Sequence, residues 1–306
     1  MGLHHITAIA ANAQRNLDFY TRVMGVRLVK KTVNFDDPGT YHFYYGDQRG
    51  TPGTILTFFP WEGIGQGQAG TGMVTEIGYS VPGGSLDFWM DWLERHGVCH
   101  EGKKEKFGEP FLAFSDPDGL RLKLVVAGGA DARSAWETEH LKKEVAVKGF
   151  QGVTMSLREA APTVRVLTEL LGYRMIDHQG GEYRFSTDAV DNPSVVDIIE
   201  APNTRRGVVA AGTNHHVAFR VKDEQILMDY RQRIERFGLT VTPKIDRDYF
   251  FSLYFREPGG ILFEIATDNP GFTKDESLDE LGTHLKLPRQ YEPSRKEIER
   301  VLPALK

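Results

Sequence analysis

The chain has 306 residues, 40% of them hydrophobic and 26% charged, with a formal net charge of -5. That length supports two domains with real cores, and the scattered lysines and arginines form no basic surface of the kind that binds nucleic acid. Cys99 is the only cysteine, which excludes an intrachain disulfide, and no run approaches the ~18 apolar residues of a membrane span; the expectation is a soluble cytoplasmic protein with no nucleic-acid or membrane partner.

The first strand-like run is "HHITAIA". An amphipathic segment follows at residues 16–24, with Leu17, Tyr20 and Val23 on one stripe before Gly25, and then the β-rich runs "YHFYYGD" and "TILTFFPW". The same order recurs three times. "VTEIGYSV" leads to a helix over 85–96 with Leu86, Trp89 and Leu93 on one face before Gly97, and "GVTMSL" leads to one over 164–171 before Gly172. "HHVAFRV" leads to a helix over 224–237 carrying Leu227, Tyr230, Ile234 and Phe237 before Gly238, followed by "FFSLYF" and "ILFEIAT". Glycine past the last turn is a common helix stop because it tolerates φ > 0.

The repeating unit is thus a strand, a helix and about three strands, with a period of roughly 70 residues, too long for a solenoid of small repeats. Four units make two domains of two. Residues 1–130 would hold units one and two, and residues 148–270 units three and four. The linker falls between Ala127 and Gly149, where small and charged residues replace the periodic pattern. Residues 271–306 leave the pattern as a tail, whose "SRKEIERVLPAL" reads as a capped terminal helix.

Only units one and four begin with a His-His pair; Thr75-Glu76 and Val153-Thr154 occupy roughly the corresponding places in units two and three. The histidines are therefore not needed to make the unit fold. In the last strand, "DPDGLRLKL" aligned with "EPGGILFEI" places Lys123 opposite Glu264, and the looser match to "TPGTILTFF" places Phe58 there. Glu264 interrupts an apolar run, and an inward carboxylate needs a cation or a strong hydrogen-bonding environment.

Two histidines and a glutamate from different strands make up a facial metal triad with open positions for substrate and oxygen. Neighbours in a strand point to opposite faces. If Ile6 and Ala8 face the helices, His5 shares the other face with Thr7, and His216 shares it with Ala218; His5, His216 and Glu264 are the expected ligands. His4 and His215 would sit at the strand entrance, where a twist or bulge could bring them near the site. The donor set suits Fe(II), Mn(II), Ni(II) or Zn(II). A buried Glu264 paired with an arginine is the structural alternative.

The turn at Pro258-Gly259 should fold the strand containing Tyr254 back on the strand of Glu264, making the two residues cross-strand neighbours. Tyr254 could then offer a phenol proton, and Arg247 a positive charge. "GQGQAG" at 65–70 matches a dinucleotide fingerprint in letters but precedes a strand, so it reads as a mobile loop, or lid, instead.

These stretches, with "LDFYTRVMGVRLVKKTVNFDDPGTYHFYYGD", "YFFSLYFREPGGILFEIATDNPGFTKDE" and "LKLPRQYEPSRKEIERVLP", resemble the vicinal oxygen chelate superfamily over nearly the whole chain. Within it, the chain is similar to the ring-cleaving dioxygenases of hydroquinones. The resemblance implies an α+β fold of four βαβββ modules forming two vicinal-oxygen-chelate domains with a C-terminal helical tail. Units one and four would close into the metal-bearing barrel, and units two and three into a metal-free partner. It implies Fe(II), with Mn(II) a compatible substitute, on His5, His216 and Glu264. His4, Thr7, His215, Arg247 and Tyr254 would be catalytic residues around it. The implied partners are a small aromatic diol and O2, in an extradiol-type cleavage between a hydroxyl-bearing carbon and its neighbour; a homo-oligomer is compatible with the sequence, which leaves oligomeric state open. The same fold also supports a glyoxalase-type isomerase or thiol transferase, and a metal-free binding protein.

Overall fold

The computed structural model describes residues 1–129 and 131–306. Unit one comprises β1 (Leu3–Ala10), α1 (Ala13–Asp18), which continues as a wider π turn over Phe19–Val23, and β2 (Arg27–Val33), β3 (Tyr41–Gly46) and β4 (Ile55–Pro60). Unit two comprises β5 (Met73–Ser80), α2 (Leu86–Arg95), β6 (His100–Lys106), β7 (Glu109–Ser115) and β8 (Arg121–Val125). Unit three comprises β9 (Gly149–Leu157), α3 (Ala161–Arg165) with a π turn over Val166–Leu170, β10 (Arg174–Gln179), β11 (Glu182–Ser186) and β12 (Val195–Glu200). Unit four comprises β13 (Thr213–Val221), α4 (Glu224–Arg236), β14 (Ile245–Asp246), β15 (Phe250–Arg256) and β16 (Leu262–Pro270). The tail ends in α5 (Arg295–Val301).

The helices form where local chemistry permits them. Asn12 Oδ1 accepts from the amide of Arg15, and Asp223 Oδ1 from that of Ile226, so α1 and α4 each start on a side-chain cap. Leu86, Trp89, Trp92 and Leu93 bury one face of α2. Gly25, Gly97, Gly172 and Gly238 all follow a helix with φ between +63° and +86°, the left-handed conformation that stops a helix.

The strands form two eight-stranded sheets that curl into half-barrels, in the orders β14-β15-β16-β13-β1-β4-β3-β2 and β10-β11-β12-β9-β5-β8-β7-β6. In each unit the first strand pairs in parallel with the last, and units join through antiparallel first strands, β1 with β13 and β5 with β9. The sheets are thus built crosswise, unit one with unit four and unit two with unit three, whereas the spans 1–130 and 148–270 divide the chain along its length. The loop over 65–70 is not a free flap. The amides of Gly67, Gln68 and Thr71 donate to the carbonyls of Ala211, Val208 and Arg205, which ties it to the segment leading into β13.

Candidate metal centre

A bulge explains how two adjacent histidines can face one site. Between β1 and β13, Leu3 lies opposite Phe219 and His5 opposite Ala218, so His4 is an extra residue; Thr7 lies opposite His216 and Ala8 opposite Asn214, so His215 is the extra residue on the other strand. Each bulge breaks strict alternation and turns the first histidine of its pair toward the second. His4 Nδ1 lies 2.9 Å from His5 Nδ1, and His215 Nδ1 2.7 Å from His216 Nδ1.

The hydrogen bonds fix the His5 tautomer. The Thr267 carbonyl, 3.1 Å from His4 Nε2, can only accept, so His4 carries its proton there. Burial drives the His4 pKa well down and keeps the ring neutral, so its Nδ1 accepts, and His5 Nδ1 must donate to it. His5 Nε2 is left as a bare lone pair. It faces His216 Nε2 at 3.3 Å and Glu264 Oε2 at 3.1 Å, and Glu264 Oε2 lies 2.9 Å from His216 Nε2.

Three donor atoms therefore converge, all on buried residues. Bonds of about 2.1 Å meeting at right angles would set donor atoms about 3.0 Å apart, which matches the triangle. Glu264 is fully buried, Ser252 Oγ donates to its Oε1, and no N–H among the described residues is aimed at Oε2. A buried anionic oxygen without a donor costs several kcal/mol unless a cation meets it. The donor set fits a divalent metal, and the arginine alternative fails: Glu264 is engaged by histidines and Ser252.

Beside the triangle lies a cavity of about 360 Å³ lined by His5, Thr7, His42, Tyr44, His215, His216, Arg247 and Tyr254, with Phe35, Phe59, Trp61 and Phe250 among its aromatic walls. Tyr254 lies opposite Glu264 on the neighbouring strand. Arg247 Nε donates to the Tyr254 hydroxyl at 3.2 Å, so the phenol proton is free for the cavity. Burial, then the Glu264 charge, push the Tyr254 pKa up and keep it protonated. Burial lowers the His215 pKa to about 3, leaving a neutral ring at the wall. His4 does not line the cavity, and both its nitrogens are engaged, one with His5 and one with the Thr267 carbonyl, so it reaches the site through His5.

The description of the Glyoxalase/Bleomycin resistance protein/Dioxygenase superfamily matches residues 2–124 and 152–265. The chain belongs to that superfamily. It is 46% identical over 302 residues to "Putative ring-cleaving dioxygenase MhqO" of Bacillus subtilis (strain 168), covering 99% of this chain and 96% of the relative. It is 32% identical over 307 residues to the chlorohydroquinone/hydroquinone 1,2-dioxygenase of Sphingobium indicum, covering 98% and 95%. A crystal structure described as a "putative dioxygenase" of Bacillus subtilis superposes with a TM-score of 0.96 at 45% identity, covering 100% of this chain and 97% of that one. Glyoxalase I of Zea mays, at 12% identity and a TM-score of 0.65 over 92% of this chain and 97% of its own, shares the fold.

The register corrects two superfamily-unit alignments made from sequence. Gly152 lies opposite Gly78 as His5 lies opposite Ala218, so Gln151-Gly152, and not Val153-Thr154, occupies the His4-His5 place. Thr57 pairs with Thr7 as Glu264 pairs with Ala218, so the residue equivalent to Glu264 in unit one is Thr57, not Phe58. Each error is a slip of one or two residues that only a known bulge position resolves. Sequence reasoning also missed His42, Tyr44 and Thr57. The alternation in "YHFYYGD" held the signal: His42 and Tyr44 share a face opposite Phe43 and Tyr45.

Proposed function

We propose that the chain is an Fe(II)-dependent ring-cleaving dioxygenase that opens hydroquinones or related aromatic diols with O2. The observation that carries this reading is the convergence of His5 Nε2, His216 Nε2 and Glu264 Oε2 in a buried triangle beside an aromatic-walled cavity. A ferrous ion held by those three atoms would supply the Lewis acidity and one-electron chemistry that let a diol react with O2. Phe35, Phe59, Trp61 and Phe250 suit a flat ring and shield it from water. His215, neutral and half-buried, accepts the proton of the diol hydroxyl that enters beside His216. Tyr254, with its oxygen accepting from Arg247, gives its own proton to oxygen on which negative charge develops, and Arg247 steadies that charge.

The bond broken would join a hydroxyl-bearing carbon to its neighbour, with both atoms of O2 incorporated. The name of the Sphingobium relative, a hydroquinone 1,2-dioxygenase, supports this substrate class and bond. A glyoxalase-type reaction is less well served, because a single carboxylate is among the three donors. The test is anaerobic loading with Fe(II), then oxygen-electrode assays on methylhydroquinone, chlorohydroquinone and catechol. Oxygen uptake with the hydroquinones is expected. Uptake with catechol alone would overturn the substrate class, and no uptake with any diol would overturn the activity.

A further inference from the structure

A second hydrogen-bonded chain reaches the cavity from the far side of β1, and its direction follows from its members. The Tyr44 hydroxyl lies 3.0 Å from His42 Nδ1, His42 Nε2 lies 3.0 Å from Thr57 Oγ1, and Thr57 Oγ1 lies 2.8 Å from Thr7 Oγ1. All four residues are buried. Among the described residues, the Tyr44 hydroxyl has one polar partner, His42; a phenol is a stronger donor and a poorer acceptor than the aliphatic hydroxyl of Thr57 at the other ring nitrogen, so the Tyr44 proton goes to Nδ1. The His42 ring, which burial keeps neutral, then carries its proton on Nε2 and donates to Thr57. Thr57 has no surface on the cavity, whereas Thr7 has. Thr57 therefore spends its own proton on Thr7 Oγ1, and the one hydroxyl proton left over is that of Thr7.

We propose that Tyr44 and His42 are positioning residues that lock Thr57 and Thr7 in one hydrogen-bond direction, so that Thr7 presents a donor to an anionic aromatic oxygen bound beside His5. The role given to Thr7 rests on the reading of the cavity as the site of an aromatic diol; the direction of the chain does not. The direction favours the deprotonated form of that oxygen, because an anionic oxygen accepts a stronger hydrogen bond from Thr7 than a neutral hydroxyl does. It also gives the phenolate a partner that stays in place without a charged side chain. The arrangement mirrors the other side of the site. There a backbone carbonyl that can only accept sets the tautomer of His4 and then of His5; here a phenol, the stronger donor of the chain, sets His42 and then Thr7.

Nitrogen-15 NMR of histidine-labelled protein with Zn(II) in place of iron reads the His42 tautomer directly. The Nε2–H form is expected in the natural sequence, and mixed forms in Tyr44→Phe. An Nδ1–H ring in the natural sequence would overturn the proposal whatever the substrate. Anaerobic titration of the Fe(II) protein with methylhydroquinone supplies the second readout. Thr7→Val and Tyr44→Phe should each weaken binding about three- to tenfold, the scale of one hydrogen bond, Thr7→Ser should restore it, and the double variant should lose no more than Thr7→Val alone. Additive losses would show that Tyr44 does not act through Thr7 and would overturn its positioning role. Absence of hydroquinone binding by the natural sequence would overturn the proposed function instead, and the NMR result would still decide the direction of the chain.

Discussion

The two sheets are copies of one plan with opposite contents. At equivalent register positions the first holds His5, His216, Glu264 and Thr57, and the second holds Gly152, Glu76, Lys123 and Asp197. Lys123 Nζ sits 3.1 Å from Glu76 Oε1 and 3.8 Å from Asp197 Oδ2, and Arg184 grips Asp197 with two bonds of 2.8 and 2.9 Å. A Cβ added at Gly152 would come within 2.5 Å of the Val195 carbonyl oxygen, so there is no room for the counterpart of the His5 ring. The second half-barrel balances its carboxylates with cations from its own chain. The first concentrates a carboxylate and two imidazoles, and among the described residues no lysine or arginine pairs with Glu264, which is why it is the half whose residues suit a metal.

The largest effect should come from making the first site resemble the second. Glu264→Lys places an ammonium where the metal would bind and removes a ligand, so iron affinity should fall by more than the ~100-fold upper range of losing an outer partner, while circular dichroism shows an intact fold. Retention of stoichiometric iron would break the comparison. Tyr254→Phe leaves the donor triangle untouched and removes the proton, and kcat should drop roughly 10²- to 10⁴-fold with iron content unchanged. An unaltered kcat would take Tyr254 out of the chemistry.

In the second half-barrel, Lys123→Met keeps the side-chain volume and takes from Glu76 its nearest cation, while Asp197 keeps Arg184. Breaking a buried ion pair of this kind costs about 3 kcal/mol, read as a lower unfolding midpoint with iron content and activity per folded molecule unchanged. Loss of iron would show that the two half-barrels are not independent in this respect.

The smallest contrast is in pH. Burial keeps His4, His42, His215 and His216, all in the first half-barrel, below the ordinary histidine value of 6.5, His215 at about 3. The unfolded chain takes up protons near 6.5 that the folded one refuses, so the metal-free protein should lose stability as pH falls from 6.5 toward 3. Melting temperatures at pH 7.5 and 5.0 should differ accordingly. Equal values would mean that these rings are not buried neutral in the metal-free protein.

Much of this was legible in the sequence because it is carried by local chemistry. Helix-stopping glycines, apolar stripes such as Leu86, Trp89 and Leu93, and the His-His pairs marked four units and singled out two of them. Glu264 stood out as a charge inside an apolar strand. What escaped depends on register. A bulge adds one residue without leaving a mark in composition, so the counterparts of His5 and Glu264 slipped to Val153-Thr154 and Phe58, and the way His4 and His215 turn inward could only be allowed for. His42, Tyr44 and Thr57 escaped for a related reason: alternation separates two faces but does not reveal which one lines a cavity. The π turns over Phe19–Val23 and Val166–Leu170 fall where an uninterrupted helix was the natural reading of the same stripe.

The proposed metal centre requires three side chains from distant parts of the chain to grip one cation. A crystal structure of the anaerobically Fe(II)-loaded protein, with anomalous scattering measured at the iron edge, tests it most directly. A single peak is expected at bonding distance from His5 Nε2, His216 Nε2 and Glu264 Oε2. An iron peak elsewhere, or one that Glu264 does not ligate, would contradict the account.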